Sequence, residues 1–102
     1  MKVLIAGGTG IISSGIVEMC VTKKYEVYAL TRGTRVERNV PGATYLYCNL
    51  YDINSVKKVL VNLEFDVFVD CQTYSMEQLA IMLEYLSKKC KNLLYLIFLA
   101  KR

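Results

Sequence analysis

The sequence predicts an α/β protein in which three helices flank a doubly wound parallel sheet of five strands, in the order 3-2-1-4-5. Along the 102 residues, short runs of β-branched and aromatic residues alternate with segments whose apolar residues recur at helical spacing. The final run, residues 93–99, is apolar at nearly every position, which is typical of a strand buried on both faces. Strands that alternate with helices pair in parallel through right-handed crossovers, and this rule gives the order above.

The first half of the chain contains three predicted strands and one helix. The predicted elements are the strands Lys2–Ala6, Tyr25–Thr31 and Ala43–Cys48 and a helix from Ile11 to about Lys23. This helix is assigned from one apolar stripe, which comprises Ile12, Ile16, Met19 and Cys20. Residues 32–42 are too few and too polar for a convincing crossover helix, so we expect an irregular connection there.

The second half adds two helices and two strands. Asp52 is a suitable N-cap for the second helix, and a capping-box pattern at Ser75 and Gln78 starts the third helix near Met76. The expected buried stripes are Ile53, Val56, Leu60 and Leu63 in the second helix and Leu79, Leu83, Leu86 and Cys90 in the third. The remaining strands are predicted over Asp66–Cys71 and Leu93–Leu99.

The composition fits one folded domain over residues 1–102. Hydrophobic residues make up 54% of the chain and charged residues 22%, which is the balance of a globular protein. The longest apolar run is far shorter than the roughly 20 residues of a membrane-spanning helix, so we expect a cytoplasmic protein without a membrane partner. The net charge of +4 comes from small, separate basic groups, which argues against nucleic acid as a partner.

The four cysteines do not form a metal-binding pattern. They lie at Cys20, Cys48, Cys71 and Cys90 without C-x-x-C spacing, and the chain has no histidine, so the usual mixed zinc sites are excluded. Each lies in an apolar stretch, which favours buried free thiols in a reducing compartment. Cys48 ends the predicted third strand and Cys71 ends the fourth, and two strands lie between these in the sheet. The two cysteines should therefore be about 14 Å apart, which is too far for a disulfide.

A glycine cluster between the first strand and the first helix is the strongest functional signal. Such a turn directs backbone N–H groups and a helix N-terminus at a bound phosphate, so it indicates a dinucleotide site. The cofactor-binding residues predicted here are Gly7, Thr9, Gly10, Ile11 and Ile12. Gly7 opens the turn, Gly10 lets a pyrophosphate approach, and Ser13 replaces the glycine that usually permits close helix packing. The alternative is a plain strand–helix turn without a ligand.

The end of the second strand bears on which dinucleotide binds. An acidic residue there would accept hydrogen bonds from the ribose hydroxyls of NAD, whereas this chain has Thr31 and Arg32, with Arg35 and Arg38 following. A guanidinium beside the ribose suits the 2′-phosphate of NADP. We therefore expect NADP as the preferred cofactor and NAD as the alternative. Solvated loop arginines are the other interpretation.

Two further strand ends should reach the same edge of the sheet. Asn49 would pair with the exocyclic amine of adenine while Leu50 lies against the ring, although Asn49 is also an ordinary turn residue. Cys71 and Gln72 follow the fourth strand and would face the nicotinamide half of the cofactor. Tyr74 is expected to pack between the third helix and the sheet, and the alternative is that it stacks on the nicotinamide half or hydrogen-bonds to it.

Four segments carry a resemblance to a known family. They are GGTGIISS at residues 7–14, YALTRG at 28–33, NLYD at 49–52 and FDVFVD at 65–70. In this order they resemble the extended short-chain dehydrogenase/reductase superfamily, and within it the NAD-dependent epimerase/dehydratase group, although Asn49 replaces the usual aspartate. The resemblance implies a Rossmann fold, a bound dinucleotide, and relatives that act on nucleotide sugars or similar small molecules.

The family's catalytic pair has no counterpart at the expected place. Its members carry Tyr-x-x-x-Lys on the helix after strand five, where the tyrosine acts as acid or base, and this sequence ends at Arg102. A Tyr-x-x-x-Lys match at Tyr85 and Lys89 lies in the third helix, at the edge of the sheet opposite the cofactor, and is interpreted as coincidental. The expected function is therefore an N-terminal NAD(P)-binding module without catalytic residues.

Two other functions remain open. The chain is an oxidoreductase or epimerase if a C-terminal region or a second subunit supplies the missing pair, and a non-enzymatic interaction protein if the fold has lost its ligand. The first helix covers only part of its face of the sheet, and the fifth strand is an open edge. We therefore expect a homo-oligomer formed through that uncovered face or that edge.

Overall fold

The computed structural model describes residues 1–71 and 75–95. The elements are β1 Lys2–Ala6, α1 Ile11–Thr22, β2 Glu26–Thr31, β3 Thr44–Tyr47, α2 Ile53–Leu60, β4 Phe65–Asp70, α3 Met76–Leu86 and β5 Cys90–Tyr95, with a 3₁₀ turn at Val36–Arg38. No helix in the described ranges has the length and apolar character needed to cross a membrane.

The five strands form one parallel sheet in the order β3-β2-β1-β4-β5. Ile5 of β1 lies opposite Ala29 of β2 and Val69 of β4, so β1 runs through the centre of the sheet. Because all strands run the same way, their carboxyl ends meet at a single edge. The predicted fold class and strand order are confirmed.

Two apolar layers hold the helices on the sheet. On one face, α2 and α3 bury Val56 and Leu86 against Leu4, Leu30 and Phe68. On the other, α1 buries Val17 against β1 and β2 through a second cluster that comprises Val3, Ile5, Val17, Val27 and Val69. Each fully buried side chain of this size contributes roughly 1.5–3 kcal/mol relative to an exposed one.

The helix caps follow the sequence closely. The Asp52 carboxylate accepts a hydrogen bond from the backbone N–H of Asn54 at 3.0 Å and caps α2. At α3, Ser75 Oγ accepts from the Gln78 N–H and Gln78 Oε1 accepts from the Ser75 N–H, both at 3.2 Å. This reciprocal pair is the predicted capping box.

The predicted apolar stripe of the first helix is wrong at two of its four positions. Ile16 and Cys20 pack against the second apolar cluster, whereas Ile12 is 54% exposed and Met19 is 59% exposed. The residues of α1 that are buried are Ser13 and Val17. Apolar residues occur around nearly the whole circumference of α1, so their spacing alone could not identify the face that packs on the sheet.

The boundary between the third helix and the fifth strand also differs from the prediction. Helix α3 ends at Leu86, and Cys90 begins β5 rather than extending the helical stripe. Met82 is buried in place of Leu83, which is exposed. The predicted strand began at Leu93, and its residues 96–99 lie outside the described part of the chain.

All four cysteines are free thiols. Cys48 directly follows β3 and Cys71 directly follows β4, with β2 and β1 lying between those strands. This strand order confirms that no Cys48–Cys71 bridge forms. Burial raises the pKa of the Cys48 and Cys90 thiols to about 11, so neither ionises near neutral pH.

Candidate functional site

The turn after β1 holds its glycines in two different backbone conformations. Gly7 has φ of +100°, in the left-handed region that favours glycine, and its N–H donates to the Leu30 carbonyl at 2.7 Å. Gly10 has an extended backbone, with φ of −75°, and is the N-cap of α1. The chain therefore turns sharply at Gly7 and enters the helix at Gly10.

Ser13 ties this turn together from within the first turn of α1. Its hydroxyl accepts a hydrogen bond from the Gly10 N–H at 3.0 Å and donates to the Gly7 carbonyl at 3.2 Å. The Thr9 N–H also donates to the Gly7 carbonyl. The amides of Thr9 and Gly10 thus donate within the turn itself, which differs from the expectation that the N–H groups of this turn are directed at a bound phosphate.

The free donors of the turn lie at the start of α1. The N–H groups of Ile11 and Ile12 are in the first helical turn, where no helical carbonyl lies four residues earlier to accept from them. Their side chains point away, since Ile11 is 87% exposed and neither residue lines the adjacent cavity. These two residues therefore offer backbone donors and the positive end of the helix dipole.

Gly8 performs the close-packing role that the sequence analysis gave to position 13. A Cβ at Gly8 would stand 3.0 Å from the Cβ of Ala29 and 3.2 Å from Cγ2 of Val17. Gly8 thus brings α1 close to β2. The sequence signal for this role was present, because Gly8 lies in the same cluster as Gly7 and Gly10.

A cavity of about 380 Å³ opens at the carboxyl edge of the sheet, directly above this turn. Its lining residues are Gly7, Thr9, Gly10, Ser13, Thr31, Arg32, Thr34, Arg35, Leu50, Tyr51 and Cys71. The structure thereby brings together eight of the predicted site residues from four strand ends. Among the lining residues described, Arg32 and Arg35 are the charged ones and none is acidic.

The loop after β2 carries these two arginines beside the cavity. Thr31 is 5% exposed, and its hydroxyl accepts a hydrogen bond from the Gly33 N–H at 3.2 Å. Its carbonyl accepts from the Cys48 N–H at 2.9 Å, which ties the loop to the end of β3. Thr34, which the sequence analysis did not select, lines the same wall.

The β3–α2 turn places Leu50 in the lining and Asn49 outside it. Asn49 Oδ1 accepts a hydrogen bond from the Tyr51 N–H at 3.0 Å, and the Asn49 N–H donates to Ser55 Oγ at 2.9 Å. Asn49 is thus a turn-forming residue, as its alternative interpretation held. Tyr51 lines the cavity instead, and no motif of the sequence selected it.

Cys71 forms part of the cavity wall at the end of β4. Burial, together with the neighbouring charge of Asp70, raises the pKa of its thiol to about 11, so the group is a neutral wall at physiological pH. Gln72 and Tyr74 lie outside the described residues.

The Tyr85–Lys89 match is remote from this cavity. Lys89 Nζ donates to the carbonyls of Leu60 and Leu63 at 2.9 and 3.0 Å, at the C-terminal end of α2. Tyr85 lies in the same region, with Lys57 Nζ 5.5 Å from its ring centroid. The pair therefore lies away from the cavity, at the edge of the sheet where the strands begin, although Lys89 follows α3 instead of lying in it.

Comparison with known proteins agrees with this arrangement. The family model described as "NAD dependent epimerase/dehydratase family" matches residues 3–102. The chain belongs to the NAD-dependent epimerase/dehydratase family. A search of curated proteins finds no match to the sequence.

Solved structures of epimerase/dehydratase type share the fold at low sequence identity. A UDP-galactose 4-epimerase matches with a TM-score of 0.73 and 19% identity, over 93% of this chain and 37% of that one. A short-chain dehydrogenase/reductase family protein matches with a TM-score of 0.78 and 14% identity, over 98% and 56%. The Bordetella bronchiseptica enzyme WbmG, solved in complex with NAD and UDP, matches with a TM-score of 0.70 and 16% identity, over 93% of this chain and 36% of that one. The chain thus spans between 36% and 56% of the length of these three proteins.

Proposed function

We propose that this chain is an NAD(P)-binding module that prefers NADP and performs no chemistry by itself. The observation that carries the proposal is the cavity above the glycine turn, where backbone donors at a helix N-terminus lie beside two arginines and none of the described lining residues is acidic. Membership of an NAD-dependent family and the NAD bound by WbmG support a dinucleotide as the ligand.

The helix N-terminus beside the cavity and the walls of the cavity each suit one part of the dinucleotide. The N–H groups of Ile11 and Ile12 would bind the pyrophosphate at the start of α1, and Gly10 leaves the space above it free of a side chain. Leu50 is almost fully buried and offers an apolar wall to the adenine ring. Cys71 would face the nicotinamide half, the part of the cofactor that carries the hydride.

The preference for NADP rests on charge. The 2′-phosphate carries up to two negative charges, and guanidinium groups bind such oxygens through charge-assisted hydrogen bonds. Arg32 and Arg35 both line the cavity beside Thr31, at the end of the strand where NAD-binding proteins carry an acidic residue. An acidic group would repel the 2′-phosphate, whereas these arginines attract it.

Binding of the cofactor should raise the thermal stability of the chain, because a ligand that binds only the native state stabilises it. At a hundredfold excess over Kd the gain is about 2.7 kcal/mol, or roughly 10–20 °C in Tm for a domain of this size. Thermal unfolding followed with NADPH and with NADH measures it. We expect a larger shift with NADPH; an unchanged Tm with both nucleotides would contradict the proposed function.

We also propose that the chain self-associates through the part of the α1 face that α1 leaves uncovered, or through the β5 edge. Helix α1 packs on β1 and β2, so beside β4 it leaves Val67 only half-buried. Sedimentation analysis should give a mass that rises with concentration above the 11.6 kDa monomer. A constant monomer mass at high concentration would refute this proposal.

The four free thiols support a reducing, cytoplasmic location. Fractionation of cells that express the chain tests this proposal, and recovery in an oxidising compartment would contradict it.

A further inference from the structure

Two tyrosines of β3 fix the loop that carries the arginines, although neither lines the cavity. Tyr45 and Tyr47 are two residues apart on one strand, so their side chains project from the same face of the sheet. This is the α1 face, where residues 32–43 connect β2 to β3 without a crossover helix. The loop must therefore gain its fixed position from side-chain contacts.

Tyr47 contacts this loop on both sides of Arg35. Gly33 lies directly on the Tyr47 ring, since a Cβ at Gly33 would stand 3.1 Å from Cδ1 of the ring. On the far side, Asn39 Nδ2 donates a hydrogen bond to the Tyr47 hydroxyl at 3.0 Å. The segment between these two contacts contains Arg35, and Arg32 immediately precedes it.

Tyr45 fixes the end of the loop and connects it to the glycine turn. Its hydroxyl accepts a hydrogen bond from the Val40 N–H at 2.8 Å. The same ring lies beside Gly8, where a Cβ would be 3.5 Å from Cε2 of Tyr45. Tyr45 thus sets the distance between the arginine loop and the turn that would bind the pyrophosphate.

Apart from the tyrosine contacts, Val40 and Ala43 at the end of the loop pack against the second apolar cluster, whereas the hydrogen bonds among residues 35–39 are local. The Arg38 N–H donates to the Arg35 carbonyl and the Asn39 N–H to the Val36 carbonyl, which closes the 3₁₀ turn on itself. Within residues 1–71 and 75–95, no ion pair holds either Arg32 or Arg35. Both guanidinium groups are therefore available to a ligand, and their position depends on the backbone that carries them.

We propose that Tyr47 is a positioning residue that holds Arg32 and Arg35 at the cavity and thereby sets the preference for a 2′-phosphate over a free ribose hydroxyl. The proposal rests on the proposed function, because it assigns a determinant of selectivity within that site. In a mobile loop, the two arginines would lose conformational entropy when the phosphate binds, and this loss would weaken binding. A loop that is already fixed loses less entropy and binds the phosphate more tightly.

The test compares the Kd values of NADP⁺ and NAD⁺, measured by titration calorimetry on the full chain, among tyrosine variants. Tyr47→Leu removes both contacts and should weaken NADP⁺ binding about tenfold while NAD⁺ binding changes less than about twofold. Tyr47→Phe and Asn39→Ala each remove the same hydrogen bond and keep the ring under Gly33, so both should show the same smaller loss, about threefold.

Tyr28→Phe is the matched control. The Tyr28 hydroxyl donates to Glu26 Oε2 at 2.8 Å, near the amino end of β2, so this variant also loses one tyrosine hydrogen bond but should keep the wild-type ratio of Kd values. A wild-type ratio in Tyr47→Leu, or an equal loss for both nucleotides, would overturn the proposal. If Tyr47→Leu does not fold, the test rests on Tyr47→Phe and Asn39→Ala, which should lose the same amount of NADP⁺ affinity. A wild-type ratio of the two Kd values in both of these variants would overturn the proposal.

A second measurement, made without cofactor, separates this inference from the proposed function. Tyr47→Leu should increase the rate of tryptic cleavage after Arg35, because the loop loses both anchors. A wild-type chain that prefers NAD⁺ would overturn the proposed cofactor preference, and with it the selectivity role of Tyr47, even where cleavage accelerates. A preference for NADP⁺ that Tyr47→Leu leaves intact would overturn the tyrosine inference alone.

Discussion

Gly10→Val is expected to abolish dinucleotide binding and leave a folded chain. The backbone of Gly10 is extended, with φ of −75°, so valine is compatible with it. The new Cβ would lie 3.2 Å from Ser13 Oγ, and a hydroxyl can move by the few tenths of an ångström required. The rest of the valine would occupy the space through which a phosphate reaches the Ile11 and Ile12 amides. Since each charge-assisted hydrogen bond contributes about 1.5–3 kcal/mol, losing two should weaken binding at least about a hundredfold.

Calorimetric titration with NADP⁺ checks this result, and circular dichroism with thermal unfolding checks the fold. Gly15→Val is the matched control, because Gly15 lies in α1 but a Cβ there meets nothing within 4 Å. This control should bind NADP⁺ as the wild type does. Unchanged affinity in Gly10→Val would show that no phosphate approaches the turn at this point.

Arg32→Asp should reverse the preference between the two dinucleotides. The substitution removes a cation from the cavity wall, at the proposed position of the ribose, and introduces the acidic group that accepts hydrogen bonds from the ribose hydroxyls of NAD. The loss of a charge-assisted hydrogen bond and the new repulsion together should change the ratio of the two Kd values by about a hundredfold. Parallel titrations with NADP⁺ and NAD⁺ measure this ratio.

Arg38→Asp supplies the control with the same change of charge. Arg38 ends the 3₁₀ turn of the same loop and does not line the cavity. Long-range electrostatics alone would act on both variants to a similar extent, whereas direct contact requires a much larger effect at Arg32. Equal effects of the two substitutions, or an unchanged ratio in Arg32→Asp, would remove Arg32 from the site.

The strand order could be predicted because strands alternate with helices along the chain, and the glycine turn because its residues are close together in sequence. Gly7, Gly8 and Gly10 follow a short apolar run directly, and a left-handed turn followed by a helix requires glycine at Gly7 whatever surrounds it. The caps at Asp52 and Ser75 are likewise local, since each involves hydrogen bonds within three residues.

The errors concern features that depend on packing between distant segments. The buried face of α1 is set by the close approach of Gly8 to Ala29, which no periodicity of the helix encodes. The role of Tyr47 is also invisible in sequence, because its partners Gly33 and Asn39 are reached only when β3 pairs with β2.

The most direct test of the site is the backbone amide NMR spectrum of the ¹⁵N-labelled chain during titration with NADP⁺. We expect the largest chemical-shift changes at the amides of Ile11 and Ile12 and in the loop that carries Arg32 and Arg35. The amides near Lys89, at the edge of the sheet where the strands begin, should change little. Saturable shifts confined to other surfaces, with the Ile11 and Ile12 signals unmoved, would contradict a dinucleotide site at the glycine turn.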